Sequence, residues 1–163
     1  MAIPFPPEWG RSGREGLVVE FELADGSSWA GNFTLGLAGI DDVRTDPNGR
    51  DVLVTSRGEL WRVDPVGRTG EEIGSGVMAV YPVAEYVIYD LGTALLCVGR
   101  EGVVWRTRRI SWDGVDEVRL EGDRLVGTAW SPIEDRSLKF SVDLRTGAAE
   151  GGSYDEPPSS ERE

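Results

Sequence analysis

Apolar and polar residues alternate in short runs along this chain. Leu17, Val19, Phe21 and Leu23 fall on one side of a two-residue period, and Val18, Glu20 and Glu22 on the other. That period predicts a half-buried strand. Asp25-Gly26 supplies a tight turn, and the return strand places Trp29, Gly31 and Phe33 on a common face. Further turn signals follow at Asp46-Pro47-Asn48-Gly49, Arg57-Gly58, Asp64-Pro65-Val66-Gly67, Gly99 to Gly102, Gly122-Asp123 and Arg145-Thr146-Gly147. Between them lie apolar runs of strand length: Val52 to Val54, Leu60 to Val63, Val77 to Val83, Tyr86 to Tyr89, Leu95 to Val98, Val103 to Trp105, Val115 to Leu120, Leu125 to Trp130 and Leu138 to Leu144. No segment of helical length carries a 3.6-residue pattern with caps. The nearest candidate, Gly70 to Met78, is interrupted by Gly70, Gly74 and Gly76.

The runs repeat weakly. Gly58-Glu59-Leu60-Trp61-Arg62-Val63 resembles Gly102-Val103-Val104-Trp105-Arg106-Thr107, and Ser137-Leu138-Lys139-Phe140-Ser141-Val142 is a looser third copy. The aromatic positions are 44 and 35 residues apart. Two copies leave their strands alike, through Val63-Asp64 then Gly67 and through Val142-Asp143 then Gly147. Paired strands recurring near every 40 residues are the pattern of propeller blades. The predicted fold is all-β, built of antiparallel, blade-like repeated sheets in a partial propeller-like stack. A sandwich or a barrel is the alternative. Trp29, Trp61, Trp105 and Trp130 recur on these strands and are expected to form a shared aromatic core.

The chain has 163 residues, which fits one domain able to bury its own core. Residues 1–14 carry Pro4, Pro6 and Pro7 and few apolar groups, so a flexible proline-rich segment is expected there. The domain itself is expected over residues 15–154. Residues 155–163 read as a disordered acidic tail. Met1 to Gly16 contains no apolar stretch of signal-peptide length, and Cys97 is the only cysteine, inside the run Ala94 to Val98. Both features predict a cytoplasmic protein with a buried core thiol. No run approaches the ~20 apolar residues of a membrane helix.

Composition narrows the chemistry. Lys and Arg number 17 against 29 Asp and Glu, a net charge of −12, and Lys139 is the only lysine. Nucleic acid requires a basic footprint, so it is not an expected partner, nor is a membrane. An acidic surface serves solubility, and in a sharper reading it suits a basic protein partner, as in an immunity protein that neutralises a basic effector. The chain has no histidine. Nucleophile systems that use a histidine base are therefore impossible, and one cysteine cannot build a thiolate metal cage. No cofactor and no metal site are expected.

The acidic pairs Asp41-Asp42, Glu71-Glu72, Asp116-Glu117 and Glu134-Asp135 cannot act as pairs on strands, because adjacent side chains point to opposite faces. Asp46-Pro47-Asn48-Gly49-Arg50-Asp51 faintly resembles a calcium loop but lacks the terminal glutamate. Arg106, Arg108 and Arg109 form the one dense basic cluster, with Arg106 and Arg108 expected on a common strand face, and Trp112 and Asp113 follow. Arginine recognises carboxylates bidentately and tryptophan stacks on ligands or on arginine. These five residues are the candidate partner-binding patch. The alternative is internal pairing with Asp113, Asp116 and Glu117.

The stretch Trp105-Arg106-Thr107-Arg108-Arg109-Ile110-Ser111-Trp112-Asp113-Gly114 resembles the signature of a family of small uncharacterised bacterial proteins. Segments similar to Leu125 to Pro132 and Phe140 to Gly147 follow in that family, and Gly151-Gly152-Ser153-Tyr154 closes it. The resemblance spans about Trp29 to Tyr154 and implies one domain ending near Tyr154. It implies no activity.

Three readings result. The first is a non-catalytic protein-interaction module, an acidic antagonist or immunity protein. The second is a small-ligand-binding or carboxylate-dependent hydrolytic domain. The third is a subunit that completes a β assembly by dimerising.

Overall fold

A computed structural model describes residues 1–9 and 15–155. Four sheets succeed one another along the chain. In the first, β1 (Ile3–Phe5) runs parallel to β3 (Ser28–Thr34), which pairs antiparallel with β2 (Gly16–Glu22). The second is the meander β4 (Asp42–Thr45), β5 (Val52–Ser56), β6 (Glu59–Asp64) and β7 (Thr69–Gly74). The third is β8 (Ala79–Val83), β9 (Tyr86–Asp90), β10 (Leu95–Gly99) and β11 (Gly102–Arg106). The fourth is β12 (Val115–Glu121), β13 (Arg124–Ser131), β14 (Arg136–Asp143) and β15 (Ala149–Gly151). The fold is the predicted all-β stack of blade-like sheets, and it is not a closed barrel. No helix among the described residues is long and apolar enough to cross a membrane.

Strand alternation produces the stacking. Within β5, Leu53 packs toward the third sheet and Val54 toward the first. Within β9, Tyr89 faces the second sheet and Ile88 the fourth. Each inner sheet is therefore apolar on both sides, and three buried clusters fill the spaces between consecutive sheets. Among the described residues no buried cluster joins the first sheet to the fourth. Cys97 is fully buried in the cluster between the third and fourth sheets, and burial, with Glu85 nearby, pushes its thiol up to about 12.

Two tryptophans pin neighbouring sheets together in the same way. Trp29 of β3 donates its indole N–H to the Pro65 carbonyl at 2.8 Å, in the β6–β7 turn of the next sheet. Trp105 of β11 donates to the Leu144 carbonyl at 2.8 Å, in the β14–β15 turn of the next sheet. The two acceptor turns are the two like exits noted above. Asp64 Oδ1 takes the Val66 and Gly67 amides, and Asp143 Oδ1 takes the Arg145 and Thr146 amides. Gly147 is required here, since it has φ 75° and a Cβ would lie 2.7 Å from the Trp105 ring. Trp105→Phe keeps most of the buried ring and removes the bond. It should cost about 1 kcal/mol in urea unfolding. Trp29→Phe should add a similar loss independently, because it pins a different pair of sheets.

The structure corrects three readings. Residues 1–9 do not form a loose arm: β1 joins the first sheet and Phe5 is buried against Phe33 at 4.7 Å. Residues 10–14 and 156–163 lie outside the described residues, so of the expected tail only Asp155 is described. The stretch from Gly70, where the glycines argued against a helix, holds strand β7. Trp61 lies on the third strand of its sheet and Trp105 on the fourth of its own, so the sequence repeat is out of phase with the sheet repeat. Trp130 points outward and is 41% exposed, unlike the buried Trp29, Trp61 and Trp105.

Candidate functional site

The arginine–tryptophan segment begins where β11 ends. Arg106 closes the strand and is exposed, while Arg108 and Arg109 lie beyond it in the crossing to β12, so Arg106 and Arg108 do not share a strand face. The crossing is held by backbone bonds, from the Ile110 amide to the Thr93 carbonyl and from the Ser153 amide to the Ile110 carbonyl. Arg108 donates to the carbonyls of Arg109, Tyr154 and Gly151 at 2.8, 3.2 and 2.8 Å. Arg109 donates to the carbonyls of Ser111 and Trp112 and lies 4.3 Å from the Tyr154 ring centroid and 5.3 Å from that of Trp112. Trp112 is 38% exposed and meets the edge of Tyr154. Two of the three arginines thus clip residues 151–154 onto the crossing, with carbonyls as acceptors in place of the acids expected from sequence. Arg106 and Trp112 remain at the surface.

Asp113 falls in a different place. It lies at the rim of a cleft of about 650 Å³ where the second, third and fourth sheets converge. Met78, Ala79 and Tyr81 from the start of the third sheet line it, with Leu91 to Thr93 from the β9–β10 turn. Asp90, Asp113, Asp116 and Glu59 contribute four carboxylates, and no arginine or lysine is among its lining residues. Backbone hydrogen bonds tie its lining segments together: the Met78 amide to the Asp90 carbonyl at 2.8 Å, and the Gly114 amide to the Gly92 carbonyl at 2.9 Å.

The sequence sets up each acid differently. Asp90 ends the apolar run of β9, where alternation and the following turn hold it inside the stack, only 3% exposed. Its Oδ1 accepts the Gly92 amide at 2.7 Å. Burial, and then the neighbouring Asp116, raises its pKa to about 6 against the single amide bond that lowers it. Tyr81 is raised by burial and by the same two acids. Glu59 is pushed up to about 7 by burial, by a hydrogen bond with Glu72 and by the nearby Glu72 charge.

Asp116 opens a β-bulge. It pairs with Thr128 while Arg119 pairs with Val126, leaving Glu117 at φ 56°. Gly127 is needed opposite, because a Cβ there would sit 2.8 Å from the Asp116 carbonyl. Bulges of this kind re-aim side chains beside functional sites.

Asp90, Glu59 and Tyr81 were not singled out from sequence. Asp116 was considered only within the pair Asp116-Glu117 and as a partner for the arginine cluster. Its counterpart in the cleft is Asp90, 26 residues earlier and on another sheet. The one available signal was an acid closing the otherwise apolar run Tyr86 to Tyr89.

The faint calcium-loop likeness is resolved by Arg62. Its guanidinium lies 2.8 Å from Asp46 Oδ2, 3.1 Å from Asp46 Oδ1 and 3.4 Å from Asp51 Oδ2. Asn48 caps the turn by accepting the Arg50 and Asp51 amides. The cations balancing this loop are Arg62 of β6 and the loop's own Arg50, 3.1 Å from Asp51 Oδ1. No group of three metal-binding side chains occurs among the described residues. No protein-family model and no curated protein matches the chain.

Proposed function

We propose that this chain is a non-catalytic interaction module that binds a basic protein partner through the acidic cleft. The observation that carries the reading is the convergence of Asp90, Asp113, Asp116 and Glu59 on one preformed cleft without a lining cation. A chain of net charge −12 already attracts basic partners over long range, and the cleft supplies a local point of docking. An antagonist or immunity role is the specific form of this reading. The arginine–tryptophan patch carries less of it, since Arg108 and Arg109 are bound to backbone carbonyls.

The dimer-completing reading is weaker. The outer faces of the first and last sheets are mostly polar, carrying Glu20, Glu22, Asn32, Arg119, Lys139 and Glu150, with the exposed Val18 and Trp130 among them.

Affinity capture from the native host tests the proposal. The captured protein should be basic and released by salt. Capture should fall at least tenfold for Asp90→Asn with Asp116→Asn, and survive Arg106→Ala with Arg108→Ala. The opposite pattern would return the site to the arginines.

A second reading is favoured by one observation, the meeting of a buried Asp90 raised to about 6 with the exposed Asp116. Carboxylates with divergent environments can serve as acid and base. The interaction reading predicts no turnover of ester, phosphoester, peptide or glycoside substrates. Turnover abolished by Asp90→Asn would establish hydrolysis instead.

A further inference from the structure

Asp90 is 3% exposed, and its carboxylate lines the cleft. Only one of its oxygens has a donor: Oδ1 takes the Gly92 amide, and no donor among the described residues reaches Oδ2. Among the described residues no arginine or lysine pairs with it or lines the cleft. The groups acting on it are Gly92 and Asp116, and Asp116 repels. A carboxylate held out of water without a counter-ion is an unfavourable arrangement that a bound cation relieves.

The walls indicate what form that cation takes. Met78, Ala79 and Leu91 are apolar, and Tyr81 offers an aromatic ring. Carboxylates with apolar walls suit a charged head on an alkyl stem: the stem lies along the walls, and the head reaches the acids. The Tyr81 ring adds attraction for the same cation.

We propose that the cleft is a socket for one long cationic side chain of the partner, arginine or lysine, whose head pairs with Asp90 and Asp116. This rests on the reading of the cleft as the docking point for a basic protein. It goes further in naming the group that enters. A guanidinium is the better match, because its planar fork can donate to two carboxylates at once.

The test uses small probes on the full chain, followed by amide chemical shifts. N-acetyl-arginine methylamide should shift the Met78, Gly92 and Asp116 amides saturably. The lysine analogue should do so more weakly, and the neutral citrulline analogue at least tenfold more weakly. Asp90→Asn should weaken the arginine probe at least tenfold. Glu20→Gln removes the same charge from the outer face of the first sheet and should change binding less than twofold. Equal weakening by both variants would show general charge attraction and overturn the socket. So would equal binding of the citrulline analogue. Free agmatine binding more than tenfold tighter than the blocked arginine would overturn the side-chain assignment in favour of a small amine. Displacement of the probe by calcium would overturn it in favour of a divalent ion. A cleft that ignores every probe, in a chain that still captures a basic protein through Asp90 and Asp116, would overturn the socket and leave the interaction reading standing. Probe binding without any such capture would uphold the socket's chemistry and remove the protein partner.

Discussion

Phe5→Ala is expected to destabilise the protein by about 3–5 kcal/mol, the range for removing a buried aromatic ring. Phe5 is 1% exposed, stacks on Phe33 at 4.7 Å and presents its edge to Trp61 at 5.9 Å. It therefore spans the first and second sheets as well as anchoring β1. The cavity left behind would be walled by Phe33, Trp29 and Trp61, whose rings are held by other contacts and cannot collapse into it. Urea unfolding at neutral pH measures the loss. A change below about 1 kcal/mol would mean that β1 is detached in solution.

Asp90→Asn is expected to act in the opposite direction and to stabilise the protein at alkaline pH. The carboxyl is raised from 3.8 to about 6 by burial. A group raised in the folded state contributes stability below its unfolded pKa and loses that contribution as pH climbs through about 6. Wild-type protein at pH 8 therefore carries the cost of a buried charge. The rise corresponds to roughly 3 kcal/mol at about 1.4 kcal/mol per pH unit. Asparagine keeps an oxygen for the Gly92 amide without the charge. At pH 8 the variant should melt roughly 6–12 °C above wild type for a chain of this size. The advantage should shrink as pH falls through about 6 and vanish below about pH 3, where the carboxyl is protonated in the folded and the unfolded chain alike. Glu59 and Tyr81, both also raised, line the same cleft in both proteins, so the difference between the two melting curves reports Asp90 together with its coupling to Tyr81. A variant less stable than wild type at pH 8 would show that the carboxylate is favourably solvated. The expected sign also bears on function. A side chain that weakens the fold where it stands is the trade-off found at binding sites.

Much of the fold was legible in the residues. The runs Val52 to Val54, Leu60 to Val63, Tyr86 to Tyr89, Leu95 to Val98, Leu125 to Trp130 and Leu138 to Leu144 became β5, β6, β9, β10, β13 and β14, all in sheet interiors. Interior strands of the stacked sheets pack on both faces or against two neighbours, so they need long apolar runs, and those runs show. The strands that escaped were β1, β4, β7 and β15, each at a sheet edge. Asp42–Thr45 contains one valine and Thr69–Gly74 one isoleucine. An edge strand is held by its ladder of backbone bonds as much as by side chains, and backbone bonds leave no mark on composition.

The candidate site divides along the same line. Composition excluded histidine chemistry and left a basic partner as one reading of the negative charge beside plain solubility, because charge and residue counts do not depend on how the chain folds. The segment Arg106 to Asp113 was noticed because three arginines stand out in an acidic chain. Whether those arginines face a partner or the protein's own carbonyls depends on Gly151 and Tyr154, some 40 residues on, and no local pattern encodes that distance. Asp90 and Asp116 show the converse. Each is unremarkable in its own strand, and each became a candidate only when sheet stacking set the end of β9 against the bulge in β12. Local alternation by itself determined that the chain makes sheets and which faces are apolar. Tertiary packing alone decided which sheet ends converge, because contacts between sheets join residues whose separation in sequence leaves no period to read.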